Sequence, residues 1–158
     1  MLFKKKPVKI SAPINGKLTH LENVNDQVFS QKMLGDGIAI HPSDGKVSSP
    51  ISGEVVMIQN SKHAIGIKHE SGLEILIHIG IDTVKLEGEG FISNKKVGDK
   101  VEVGDELIEF DKSNIEDTGF DATVIVIAID SPKISNVELS DANEVEVGKS
   151  NIMSVIFK

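Results

Sequence analysis

Five histidines, His20, His41, His63, His69 and His78, are the side chains best suited to covalent or acid–base chemistry near neutral pH, because imidazole titrates there without help from its surroundings. The chain has no cysteine, which excludes disulfides, thiolate metal sites and cysteine nucleophiles. Context separates the histidines. His20, His41 and His69 sit among polar or turn-forming residues and read as surface groups. His78 lies in the apolar run Leu73–Asp82, just before Gly80. An imidazole in such a strand costs desolvation energy unless it is paired. Gly80 allows a sharp turn that would bring its carbonyl back towards the ring. A carbonyl holding Nδ1–H leaves the Nε2 lone pair free, which is the state a nitrogen nucleophile needs. The plainer reading of one such residue is a satisfied core histidine; the nearby His63, and the turn and aspartate after His78, argue for a site.

His63 and His78 are 15 residues apart on two apparent strands joined through His69-Glu70-Ser71-Gly72. The length of that loop decides whether they meet. A four-residue loop pairs Lys68 with Leu73 and sets His63 directly opposite His78. A two-residue loop at Ser71-Gly72 leaves them diagonal on one face, and a three-residue loop sends them to opposite faces. The sequence permits adjacent imidazoles without selecting among these registers.

The elements that must carry these residues are short strands: Gly53–Ile58, Ala64–Lys68, Leu73–Ile79, Lys100–Phe110 with an interruption at Gly104-Asp105, Thr123–Ile129 and Ile152–Phe157. Turn signals separate them at Pro13 with Asn15-Gly16, at Pro42 with Asp44-Gly45, at Ser71-Gly72 and at Gly104-Asp105. Helical periodicity never exceeds two turns; the best candidates are Asp26–Leu34, stopped by Gly35, and Asp111–Asp117, stopped by Gly119. The expected fold is all-β, an antiparallel β-sandwich or barrel-like hybrid with short helical turns. Ala12–Leu18 is echoed by Ser49–Val55, and Val101–Gly104 by Val145–Gly148, 37 and 44 residues later. Unequal offsets exclude a regular solenoid and indicate one reused turn type.

Composition sets the remaining bounds. The 158 residues suit one domain, with no linker or low-complexity run. Phe is the only aromatic type besides histidine, so β-branched Ile and Val must fill the core. A net charge of −7 disfavours nucleic-acid binding. The N-terminus has Lys4, Lys5 and Lys6 but no apolar signal core, and no stretch approaches a membrane span. A cytoplasmic protein is expected, with residues 1–7 a flexible basic tail making at most weak membrane contact.

The runs His63-Ala64-Ile65-Gly66-Ile67 and His78-Ile79-Gly80-Ile81-Asp82-Thr83-Val84-Lys85-Leu86-Glu87-Gly88-Glu89-Gly90-Phe91 closely resemble the glucose-type IIA family of bacterial sugar phosphotransferase systems. The resemblance extends to Phe29–Pro42, Ser49–Gly53 and Val101–Asp105 with Phe110, nearly the whole chain. It implies a phosphotransferase that is an antiparallel sandwich with a shallow active-site depression. His78 would accept a phosphoryl group at Nε2 from the phosphocarrier HPr and pass it to a cysteine on the IIB domain of a sugar permease. His63 would stabilise the charge of that group, and Ser61, where the family has threonine, would orient His63. Gly80 would supply the carbonyl for His78. Asp82 would act at the rim or accept turn amides. The resemblance also maps an apolar docking ring onto Val28, Phe29, Met33, Leu34, Leu76 and Val84, with one or two of these expected in the core. Regulated transporters or enzymes would be further partners. No cofactor is implied, since the phosphoryl group is carried covalently; zinc at His63 and His78 would be adventitious.

Two rivals can be set beside this reading. A zinc hydrolase of the lysostaphin type would use His63, His78 and Asp82 as ligands, but its paired H-x-H signature is missing. Val97–Asp105 looks like the hammerhead of lipoyl and biotinyl carriers, but no lysine stands at a suitable hairpin tip, so that likeness is architectural.

Overall fold

The computed structural model describes residues 6–158, so most of the expected N-terminal tail lies outside the described residues; Lys6 and Pro7 are exposed and irregular. Among the described residues the chain forms β1 (Val8–Ser11), β2 (Gly16–His20), β3 (Gly37–Pro42), β4 (Lys46–Ser48), β5 (Gly53–Ile58), β6 (Ala64–Lys68) and β7 (Glu74–Ile81). There follow β8 (Phe91–Ile92), β9 (Lys100–Val101), β10 (Glu106–Phe110), β11 (Asp121–Ala128), β12 (Ile134–Leu139), β13 (Glu144–Val145) and β14 (Asn151–Phe157). Two short helices, α1 (Gln27–Ser30) and α2 (Lys112–Asp117), and 3-10 turns at Leu21–Asn23 and Thr83–Leu86 complete the chain.

Every strand pair is antiparallel. The large sheet runs β13-β2-β3-β11-β7-β6-β5-β9, and two three-stranded sheets, β1-β14-β12 and β4-β10-β8, pack against its inner face. The sandwich expectation holds, but no barrel closes: the large sheet keeps β13 and β9 as edges. The sequence's heavy use of isoleucine explains the core. Ile38, Ile40, Ile65, Ile67, Ile75, Ile77 and Ile79 point inward from the large sheet and are fully buried against Ile10, Ile108 and Ile152 from the small ones. Each such side chain contributes on the order of 1.5–3 kcal/mol through burial.

The outer face of the large sheet would be half wet but for the segment after β2. Leu21, Val24 and Phe29 fold down onto Ala39, Ile81, Ile125 and Ile127, forming a second apolar layer. Asp26 starts α1, its carboxylate accepting the Val28 amide at 2.9 Å and the Phe29 amide at 3.3 Å. The helix is shorter than the expected Asp26–Leu34. It ends at Ser30 because Lys32 adopts φ +58°, outside helical space, where its ammonium lies 3.2 Å from Glu22 and 3.5 Å from Asp36. The α2 expectation holds to within one residue, with Asp111 as its cap.

Candidate active site

Along β7 the side chains alternate: Ile75, Ile77 and Ile79 enter the main core, while Leu76 and His78 face the outer layer. His78 therefore meets the segment folded over that face, and its ring lies 5.0 Å from the Phe29 ring, tilted by 56°. The alternation then breaks. Gly80 has φ +81°, the pairing with β11 slips between Asp121 and Val124, and Ile81 lands in the outer layer although Ile79 is in the inner one. This bulge turns the Gly80 carbonyl back to the ring, 2.9 Å from His78 Nδ1. A carbonyl can only accept, so Nδ1 carries the proton and neutral His78 presents a free lone pair at Nε2. Only glycine fits. A Cβ here would come within 2.8 Å of the Asp121 carbonyl and overlap the Thr83 methyl, besides the strain of the positive φ.

His63 reaches the same place by a route the hairpin registers do not predict. Lys68 pairs with Glu74 and Ala64 with His78, while the His69 amide donates to the Leu73 carbonyl around Gly72 at φ +94°. This is the three-residue-loop register, which in a regular strand would send the two histidines to opposite faces. His63 escapes because it precedes β6. The turn Asn60–His63, with Lys62 at φ +63°, leads into the strand and lets the imidazole swing round. The rings stand 5.0 Å apart, edge to face at 80°. His63 is buried and Nδ1 is held by the Ser61 hydroxyl in a short hydrogen bond.

Both imidazoles are held neutral. Burial, reinforced by the neighbouring His63, pushes His78 from the ordinary 6.5 down to about 4. The Gly80 carbonyl and the charges of Asp26 and Asp82 oppose that shift without overcoming it. Burial alone lowers His63. Asp82 is exposed at φ +60°, near enough for its charge to act on His78, and makes no side-chain bond to cap the Thr83–Leu86 turn. Asp26 comes from a distant part of the sequence, where its spacing signals only a helix cap; its electrostatic reach to His78 is a product of the fold.

The residues assigned to the docking ring divide. Val28, Met33, Leu34 and Val84 are exposed apolar side chains, Met33 and Val84 at 66% and 56%. Leu76 is half-buried in the outer layer. Phe29 is not part of an exposed surface: at 6% exposure it belongs to that layer and forms the floor beneath His78. Among the histidines read as surface groups, His20 and His41 are exposed and His69 is half-buried with Nδ1 2.8 Å from the Ser71 hydroxyl. His63, His78 and Asp82 do not form a three-ligand metal cluster, and no such group of His, Cys, Asp or Glu occurs among the described residues. A pair of neutral imidazoles, one with a free Nε2 and the other tethered by a hydroxyl, is suited to carrying an electrophilic group on nitrogen.

Known proteins resemble the chain over nearly its whole length. Residues 8–134 match the family model described as phosphoenolpyruvate-dependent sugar phosphotransferase system, EIIA 1. A glucose-specific EIIA component of Oceanobacillus iheyensis is 44% identical over 151 residues, covering 96% of this chain and 92% of the relative. One from Staphylococcus epidermidis is 39% identical over 150 residues, covering 95% and 90%. The solved glucose permease IIA from Mycoplasma capricolum superposes with a TM-score of 0.85 at 36% identity, over 98% of this chain and 99% of that one. Sequence, fold and the matched segment carrying both histidines thus place this chain in the EIIA 1 family of the phosphoenolpyruvate-dependent sugar phosphotransferase system, as a component of the glucose IIA type.

Proposed function

We propose that the protein relays a phosphoryl group from phospho-HPr, through Nε2 of His78, to the cysteine of a IIB domain, and so drives sugar uptake and phosphorylation. The observation that carries this reading is the 2.9 Å contact between His78 Nδ1 and the Gly80 carbonyl, which aims the Nε2 lone pair away from the backbone. In the first step that lone pair attacks phosphorus, the bond from phosphorus to HPr breaks, and its electron pair leaves with HPr. In the second, a IIB thiolate attacks phosphorus and the P–N bond to His78 breaks.

Catalysis of such a transfer is mostly positioning and stabilisation of charge on the phosphoryl oxygens. The Ser61 hydroxyl, donating to His63 Nδ1, keeps the proton on His63 Nε2, where it serves as a donor to one of those oxygens. Depressed basicity suits both rings: His78 is not blocked by a proton at neutral pH, and phosphorylation places its anion beside His63, which then becomes the better proton holder. The exposed Val28, Met33, Leu34 and Val84 provide an apolar contact for each partner in turn, and Asp26 and Asp82 add negative charge at the rim for a basic partner face. The phosphoryl group is carried covalently, so the relay needs no cofactor, and zinc bound by the two imidazoles would be adventitious. No helix among the described residues is long and apolar enough to cross a membrane, and the relay operates in the cytoplasm. Incubation with phosphoenolpyruvate, Enzyme I and HPr should add one phosphoryl mass to the wild type and none to a folded His78→Ala variant. Labelling of that variant to the wild-type extent would overturn the assignment.

A further inference from the structure

Thr83 is fully buried in the 3-10 turn after β7, yet its hydroxyl is not spent within that turn: it donates to the carbonyl of Ile79, 2.5 Å away. That carbonyl marks the end of the β6–β7 ladder. The Ile79 amide donates to the His63 carbonyl at 2.7 Å, and in a continued ladder the Ile79 carbonyl would accept the His63 amide. Regular pairing stops at Ala64 instead, where the backbone leaves the strand and frees the His63 ring. The Thr83 hydroxyl supplies the missing donor. Its methyl lies against Gly80, where a Cβ would overlap it. Thr83 thus holds the Ile79–Gly80 peptide by a hydrogen bond and by contact, one bond before the carbonyl that fixes His78 Nδ1.

We infer that Thr83 is a positioning residue for phosphoryl transfer, holding the Gly80 bulge so that the His78 proton stays on Nδ1 and the end of the ladder stays open for His63. This rests on the relay proposed above but touches neither the phosphoryl group nor a partner. A valine keeps the shape and removes the hydroxyl; a serine keeps the hydroxyl and removes the methyl.

The test is 15N NMR of imidazole nitrogens in Thr83→Val and Thr83→Ser, beside single-turnover phosphorylation by phospho-HPr. In wild type His78 should show the Nδ1–H tautomer. Thr83→Val should populate the Nε2–H tautomer and slow transfer roughly ten- to a hundredfold, the scale of a small misplacement of a reacting group, with KM for phospho-HPr unchanged. Thr83→Ser should keep the wild-type tautomer and most of the rate. A folded Thr83→Val protein with wild-type tautomer and rate would overturn the inference, as would equal loss in both variants. Should the valine variant not fold, Thr83→Ala is read by the same criteria, and retention of the tautomer and rate there refutes the role. The tautomer is read without any partner, so a wild-type protein that shows Nδ1–H but accepts no phosphoryl group would contradict the relay, while the hold of Thr83 on the His78 tautomer would still stand or fall on the NMR of the variants.

Discussion

Acid should destabilise this protein through His78, and a single substitution should remove that sensitivity. In the unfolded chain the imidazole has its ordinary value of 6.5, whereas burial in the fold brings it to about 4. The folded value is the lower one, so as pH falls the unfolded chain takes up the proton first. Stability is therefore unaffected by this group above about pH 7 and declines through the window from 6.5 to about 4, below which the loss is complete. Between about pH 8 and about pH 5 the two values give a loss of about 2 kcal/mol from His78 alone, out of a ceiling of about 3 kcal/mol. For a domain of this size that is a fall in Tm of about 4–8 °C. His78→Gln has no proton to gain, so its decline over the same range should be smaller than that of the wild type by this amount, whatever its stability at neutral pH. Urea unfolding of both proteins across the range measures it. Equal slopes would refute the argument, because they would mean that His78 is as basic in the fold as in the unfolded chain. The functional counterpart is that phosphorylation of the wild type should be nearly independent of pH above about 5.5, since Nε2 is already unprotonated there.

Other substitutions probe neighbouring parts of the site. His63→Gln should still accept a phosphoryl group but pass it on to IIB about 10²–10³-fold more slowly, the cost of losing one preorganised donor; single-turnover transfer decides this, and unimpaired transfer would remove His63 from the mechanism. Gly80→Ala should cost about 2–4 kcal/mol in thermal or urea unfolding, from the positive φ and the overlap with Thr83, with phosphorylation lost in parallel. Val84→Asp and Met33→Asp should leave circular dichroism unchanged and raise KM for phospho-HPr, because both side chains are exposed. Phe29→Asp should instead unfold or loosen the outer layer, which makes it a test of packing and not of docking. A change in ionic strength should alter association with HPr more than dissociation, as expected for an acidic rim meeting a basic face.

Much of the site was legible because its signals are local. The apolar run ending at His78, and the glycine two residues on, already imply a ring fixed by a nearby backbone carbonyl. The sandwich followed from β-branched runs punctuated by Gly, Pro, Asn and Asp. What was not legible depends on departures from regular geometry. The hairpin register alone sends His63 away from His78, and only the turn at Lys62, with its positive φ, reverses that outcome. Helical length over Asp26–Leu34 was overestimated because the backbone leaves helical space at Lys32, with φ +58°, three residues before the expected stop at Gly35. Strands such as β2, β4 and β12 are short and polar on one side, so their pattern is hard to tell from loop. Phe29 looked like a surface contact because nothing in the local sequence says that the segment around it folds onto the back of the large sheet.

Ser61, His63, His78, Gly80 and Thr83 all lie within one hairpin and its two frayed ends, while Asp26 and Phe29 act on the His78 ring from elsewhere in the chain. The reacting pair is therefore a contiguous cassette of 23 residues, whose own turns set the orientation of both rings. A cassette of that kind can be moved as a unit: the same hairpin grafted onto the edge of another antiparallel sheet carries its own carbonyl, its own hydroxyl tether and its own register, and needs from its new host an aromatic floor and a neighbouring strand that slips past Gly80 as β11 does.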